Sequence, residues 1–255
     1  MLAELLSDTY DVVTAKNGAE GLKLAAKYVP DLVICDVMMP EMDGMECCRR
    51  LKSEISTSHI PVLMLTACAM DEQRADGYDV GADGYVSKPF NSSVLLSRIR
   101  NLIDNRKRIR ELWTSDSVNM IARRKSEHGT TGPTSNTVGA LSGAPDIDNE
   151  FYRQFLAMVD ARMSDPDMNV EDIASSMGLG RSQFYRKIKS LTNYSPVELL
   201  RRLRLARART MLTTTEQTVS EISYAVGFST PAYFTKCYRD AYGETPTELR
   251  ERLGI

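Results

Sequence analysis

Val170-Glu171-Asp172-Ile173-Ala174 leads to Gly178, and Val219-Ser220-Glu221-Ile222-Ser223 leads to Gly227. The two stretches stand 49 residues apart, and a second pattern follows each glycine at an offset of 50. Phe184 answers to Phe234, Arg186 to Lys236, and Ser195-Pro196-Val197-Glu198-Leu199 to Thr245-Pro246-Thr247-Glu248-Leu249. Each copy spells a short helix, a glycine turn and a second helix. That is the plan by which a helix-turn-helix lays its second helix in a DNA major groove. Two copies in one chain allow two adjacent groove faces to be read without dimerisation.

The repeat sits in a chain of 255 residues, room for about two ordinary domains. No apolar run is long enough to cross a membrane, and the first residues lack the basic start and cleavage site of a secretion signal. The five cysteines (Cys35, Cys47, Cys48, Cys68, Cys237) have no metal-ligand spacing. A reduced, cytoplasmic chain with buried thiols is expected. The net charge of −2 conceals an asymmetry: residues 178–209 hold nine Lys and Arg against a single acid, Glu198. Inside the repeat, that focus of positive charge points to phosphate contact.

Residues 10–104 read differently. Short β-rich runs (Asp11–Ala15, Asp31–Asp36, Ile60–Ala67, Gly84–Ser87) alternate with helical patterns (Gly18–Tyr28, Gly44–Ser56, Asp71–Val80, Ser92–Arg106). Continuous apolar strands such as Leu32-Val33-Ile34-Cys35 suit a parallel sheet covered on both faces. The expected fold is a doubly wound α/β domain over residues 1–106, then a charged helical extension and flexible linker over 107–147. An all-α domain fills 148–255. The linker proper, Gly129 to Asp146, would span roughly 23 Å on average as a flexible coil.

In an open parallel sheet, ligands bind at the carboxyl ends of strands. Asp36 ends one predicted strand, Thr66 lies at the end of the next, and Lys88-Pro89-Phe90 follows the last. A carboxylate, a hydroxyl and an ammonium thus converge, a set that suits a phosphoryl group: nucleophile, hydrogen-bond donor and countercharge.

With these residues stand Asp36-Val37-Met38-Met39-Pro40, Met42-Asp43-Gly44, Leu65-Thr66-Ala67, Gly81-Ala82-Asp83-Gly84-Tyr85 and Ser87-Lys88-Pro89-Phe90. Together they resemble a response-regulator receiver domain of the flavodoxin-like fold. The resemblance implies that Asp36 is the phosphoacceptor, Thr66 the switch hydroxyl, Lys88 the phosphoryl-binding lysine and Tyr85 the switch aromatic. It also implies a cis Lys88–Pro89 bond. Receivers of this family begin with an apolar strand ending in an acidic pair that helps hold Mg²⁺, and neither feature is present here. Of the family's metal ligands only Asp36 and the backbone carbonyl of Met38 remain, so weak Mg²⁺ binding is expected. The chain reads as a truncated receiver or one with a mis-called start. Haloacid-dehalogenase-type phosphatases use a similar trio, but they need an acid two residues after the nucleophile. Met38 holds that position and cannot transfer a proton, so the chain is not expected to be an enzyme.

Residues 148–253 resemble the AraC-family DNA-binding domain. The match is carried by Ser220 through Ser229, by Tyr233-Phe234 and by Gly243-Glu244-Thr245-Pro246. A helix over about Pro196–Leu212 is expected to bridge the two units. Phe184, Ile188, Leu191, Phe234 and Tyr238 are expected in the core. Base contacts are assigned to Ser182, Tyr185 and Arg186 in the first unit and to Pro231, Ala232, Thr235 and Lys236 in the second. Arg186 is the best placed, since a guanidinium can grip guanine bidentately. Arg181, Lys187 and Lys189 are assigned to phosphates.

A receiver followed by this domain implies a two-component transcription regulator. Its partners would be duplex DNA and a cognate histidine kinase or kinase module. The family resemblance also implies a homodimer of phosphorylated receivers through a face that includes Ser92–Arg106. The alternative is the C-terminal fragment of a hybrid sensor histidine kinase/response regulator, where the kinase lies upstream.

Overall fold

The computed structural model describes residues 2–67, 81–123 and 146–255, and it divides into two compact units, Met1–Arg108 and Ile109–Ile255. The expected helix Asp71–Val80 and the expected linker to residue 145 lie outside the described residues.

The first unit opens with α1 (Leu2–Ser7) and α2 (Gly18–Tyr28), continues through β1 (Val33–Asp36), α3 (Gly44–Ser53), β2 (Val62–Thr66) and β3 (Gly84–Ser87), and enters α4 (Ser92–Arg123). The three strands are parallel, in the order β1-β2-β3. The run Val62-Leu63-Met64-Leu65 is wholly apolar because alternate side chains go to opposite, covered faces. Val62 and Met64 pack with Ala25, Cys47, Cys48 and Leu51 on one side. Leu63 and Leu65 pack with Leu6, Leu95 and Ile99 on the other.

Residues 11–15 are not a strand, contrary to the pattern of their side chains. A strand exists only by its neighbour. Among the described residues, β1 pairs with β2 alone, so Asp11–Ala15 has nothing to hydrogen-bond. Val13 is 59% exposed there.

The second unit contains the C-terminal turns of α4, then α5 (Asp146–Ala161), α6 (Val170–Ser176), α7 (Arg181–Thr192), α8 (Pro196–Thr214), α9 (Val219–Ala225), α10 (Pro231–Tyr242) and α11 (Pro246–Leu253). The sequence marks these helices at their starts. Asn169, Ser195, Thr218, Thr230 and Thr245 each accept a hydrogen bond from a first-turn backbone N–H. Thr218 with Glu221 and Thr245 with Glu248 form reciprocal capping boxes. The bridging helix α8 has 19 residues, about 28 Å long. Its Leu205, Ala208, Met211 and Leu212 form one wall of the second helix-turn-helix core, against Ile222, Phe228, Phe234, Tyr238 and Leu249.

Candidate functional site

The trio of the first unit is set by register. Asp36 is opposite Leu65, and Thr66 is opposite Ser87, so Asp36, Thr66 and Lys88 lie at the C-terminal ends of three adjacent parallel strands. Backbone bonds tie those ends together: the Val37 N–H donates to the Leu65 carbonyl at 2.9 Å and the Lys88 N–H to the Thr66 carbonyl at 2.7 Å. The Lys88 ammonium is ion-paired with the Asp36 carboxylate. Both side chains are about a third exposed, 38% and 37%, so the carboxylate is open to a phosphodonor while its countercharge is in place. Thr66 is buried at 7% exposure, and the Lys88–Pro89 bond is cis.

The loop after Asp36 is built around one glycine. Asp43 caps α3, and the Gly44 N–H donates to the Val37 carbonyl at 3.0 Å. A Cβ at Gly44 would lie 2.1 Å from the Asp36 carbonyl oxygen, so only glycine lets α3 start this close to the carboxylate strand. Tyr85 lies on β3 and packs against the core that contains Cys35 and Met64. That core holds a thiol pair beside the site. The Cys35–Cys47 hydrogen bond and burial hold the Cys35 thiol far above its ordinary pKa, and burial pushes Cys48 up to about 11. The same hydrogen bond holds the Cys47 thiol below its ordinary value.

The described residues around Asp36 do not by themselves make a complete Mg²⁺ site. Among the described residues no group of three His, Cys, Asp or Glu side chains is gathered closely enough to hold a metal ion. One Asp36 oxygen is already engaged by Lys88, and the other accepts from the Met38 N–H at 3.3 Å. The Met38 side chain is 78% exposed and supplies no acid for phosphoester hydrolysis.

In the second unit, Phe184, Ile188, Leu191, Phe234 and Tyr238 are fully buried, as their spacing requires. The opposite faces of α7 and α10 are open. Arg181, Ser182, Tyr185, Arg186 and Lys189 are exposed on the first, and Ala232 and Lys236 on the second, with Pro231 and Thr235 half-buried. Arg186 also donates from Nε to the Ser182 carbonyl at 3.3 Å, and Arg181 pairs with Glu171 at 3.0 Å. Two exposed residues escaped the sequence reading: Gln183 and Tyr233, each one position before the buried phenylalanine of its copy. Their shared place in the 50-residue repeat was the available signal.

Lys187 is a correction. It is 1% exposed, and its ammonium is 2.5 Å from the Asp148 carboxylate, which is itself fully buried. It therefore cannot reach a phosphate. Along α8, Arg204 donates to the Asp165 carbonyl at 2.6 Å and Arg207 is buried near Asp160. Arg202 and Arg209 lie over the rings of Tyr194 and Tyr242, at 4.1 Å and 4.5 Å. Arg201 is exposed.

Comparison with known proteins matches both units. The response regulator receiver domain family matches residues 1–100, and a helix-turn-helix domain family matches residues 173–252. The chain is 35% identical, over 98% of its own length, to histidine kinase P4 of Formosa agariphila, of which it spans 17%. Over 39% of its length it is 43% identical to the DNA-binding dual master transcriptional regulator RpaA of Synechocystis, spanning 42% of that protein. It is 41% identical to the response regulator PleD of Caulobacter vibrioides over 39% of this chain and 22% of that one. The chain thus covers less than half the length of each of these relatives. The matches and the geometry agree on what the chain is: it carries a response-regulator receiver domain followed by an AraC-type helix-turn-helix domain.

Proposed function

We propose that this chain is a two-component response regulator in which phosphorylation of Asp36 controls sequence-specific DNA binding and, through it, transcription. The observation that carries the reading is the convergence of Asp36, Thr66 and Lys88 at three neighbouring strand ends, in one chain with two recognition helices. A histidine kinase or kinase module supplies the phosphoryl group, Asp36 accepts it, Lys88 neutralises its charge and Thr66 donates to one of its oxygens. Tyr85 follows that change of state. Ser182, Gln183, Tyr185, Arg186, Pro231, Ala232, Tyr233, Thr235 and Lys236 meet base edges, while Arg181 and Lys189 hold phosphates. Two receivers pair when phosphorylated, which raises the effective concentration of their DNA-reading units at adjacent sites. The chain itself is a switch and does no chemistry on a substrate.

The test is labelling of the complete chain by a small phosphodonor with Mg²⁺. Labelling is expected to be poor with the present donor set, to rise when an upstream strand with an acidic pair is joined on, and to vanish in Asp36→Asn. Labelling that survives Asp36→Asn would overturn the assignment of the acceptor.

A second reading is favoured by the near whole-length likeness to part of a histidine kinase: the chain is the output end of a hybrid sensor. Kinase motifs in the same reading frame upstream of Met1 would establish it, and a lone first strand there would dismiss it.

A further inference from the structure

A recognition helix ends in carbonyl groups with no partner within the helix, and the last turn frays unless something else satisfies them. At the C-terminus of α7, Asn193 is in the left-handed conformation (φ 65) and its N–H donates to the Lys189 carbonyl at 2.8 Å. The carbonyls that follow are served from outside the repeat. Arg110 donates from Nε to the Ser190 carbonyl at 2.7 Å, and the Thr114 hydroxyl donates to the Thr192 carbonyl at 3.2 Å. Arg110 adds a positive charge where the helix dipole is negative. Between them Trp113 is 2% exposed, edge-on to Tyr152 with ring centroids 4.6 Å apart. Tyr152 leads through Phe155 to Phe184, in steps of 5.8 and 5.9 Å. One helical turn of α4 therefore grips α7 at its C-terminus directly and near its N-terminus through a stack of rings. The repeat has two recognition helices, but among the described residues one such turn is found, and it serves the first.

We propose that the DNA-reading unit begins at Ile109 rather than after the linker, and that Arg110 and Thr114 are positioning residues that hold α7 in its groove-reading pose. They fix where Ser182, Tyr185 and Arg186 meet the bases, and so they govern sequence preference at the first unit's half-site alone. The inference rests on the DNA-binding reading above.

The test uses the complete chain and the duplex that it enriches from a random-sequence library. Base preference is measured position by position, and Arg186→Ala marks the half-site read by α7. Arg110→Ala and Thr114→Val are each expected to reduce discrimination about fivefold at that half-site and to leave the α10 half-site unchanged. Arg110→Lys is expected to restore it, since a lysine can also bond last-turn carbonyls. Equal losses at both half-sites, as a drop in folded protein would give, overturn the proposal, and so does no change. Hydrogen exchange in the free protein is the second readout. Arg110→Ala is expected to speed exchange in the last turn of α7 and not in that of α10. If the chain enriches no duplex, the DNA-binding reading fails, and the exchange result still decides the cap: unchanged protection in α7 overturns it.

Discussion

Lys187 and Asp148 face each other at 2.5 Å in the core beneath the first recognition helix, with side-chain exposures of 1% and 0%. Two opposite charges out of water are tolerated only together, because removing either leaves the other uncompensated. Lys187→Met alone is expected to destabilise the second unit by roughly 3–5 kcal/mol. Lys187→Met combined with Asp148→Leu is expected to recover most of that loss. Chemical denaturation of the two variants checks this, and equal destabilisation would show that the ion pair is not what Lys187 contributes.

Arg186 and Lys189, both exposed on α7, are expected to play different parts on DNA. Arg186→Ala is expected to cost about 1–3 kcal/mol on the preferred duplex and to relax choice at one base pair. Lys189→Ala is expected to weaken binding to every sequence and to flatten its salt dependence instead. Titrations of both variants on the preferred and on random duplexes, at several salt concentrations, separate the two. Identical losses on both duplexes would contradict the division.

The glycines of the two turns are expected to differ. Gly178 and Gly227 both have positive φ, 68 and 78. A Cβ at Gly178 meets nothing within 4 Å, whereas at Gly227 it would lie 2.4 Å from the Met163 carbonyl oxygen. Gly178→Ala should therefore cost only the left-handed conformation, roughly 1–2 kcal/mol. Gly227→Ala adds a backbone collision and is expected to lower the unfolding temperature markedly more. A larger effect at Gly178 would contradict the geometry.

Acid should loosen the second helix-turn-helix through its capping boxes. Backbone and hydroxyl hydrogen bonds from Thr218 hold Glu221 below its ordinary value of 4.5, and those from Thr245 do the same for Glu248. A carboxylate whose folded pKa is depressed contributes stability that is fully present above its unfolded value. That contribution is lost as pH falls through the folded value. The contribution is thus present at pH 6 and declines below about 4.5. The double variant Glu221→Gln, Glu248→Gln is expected to show a shallower fall of the unfolding temperature with acid than the native chain. An unchanged slope would mean the caps titrate without consequence.

How far the sequence could be read depended on whether the deciding partner was local. Gly18–Tyr28 is found where it was expected, because Asn17 caps it and its apolar face repeats within the segment. The strand ends that carry Asp36, Thr66 and Lys88 were legible from flanking motifs. Asp11–Ala15 failed because alternation says nothing about whether a neighbouring strand exists. Lys187 failed differently. It falls on the face of Phe184, Ile188 and Leu191, three residues after the first and four before the last, so helical periodicity placed it in the core. The basic run around it concealed that, and its partner lies 39 residues earlier. Residues 107–123 read as a charged helical extension and are helical, but the burial of Trp113 against a tyrosine 39 positions away was not foreseen. No local pattern could show that contact.

With two helix-turn-helix units, one chain is expected to read two successive turns of DNA. The most direct measurement is a base-resolution footprint of the complete chain on its enriched duplex, with the stoichiometry of the complex determined alongside. Two blocks of contacted bases on one face are expected, their centres about 10.5 base pairs apart, with one chain per duplex. A single block of contacts, or two blocks formed only when two chains are bound, would contradict this.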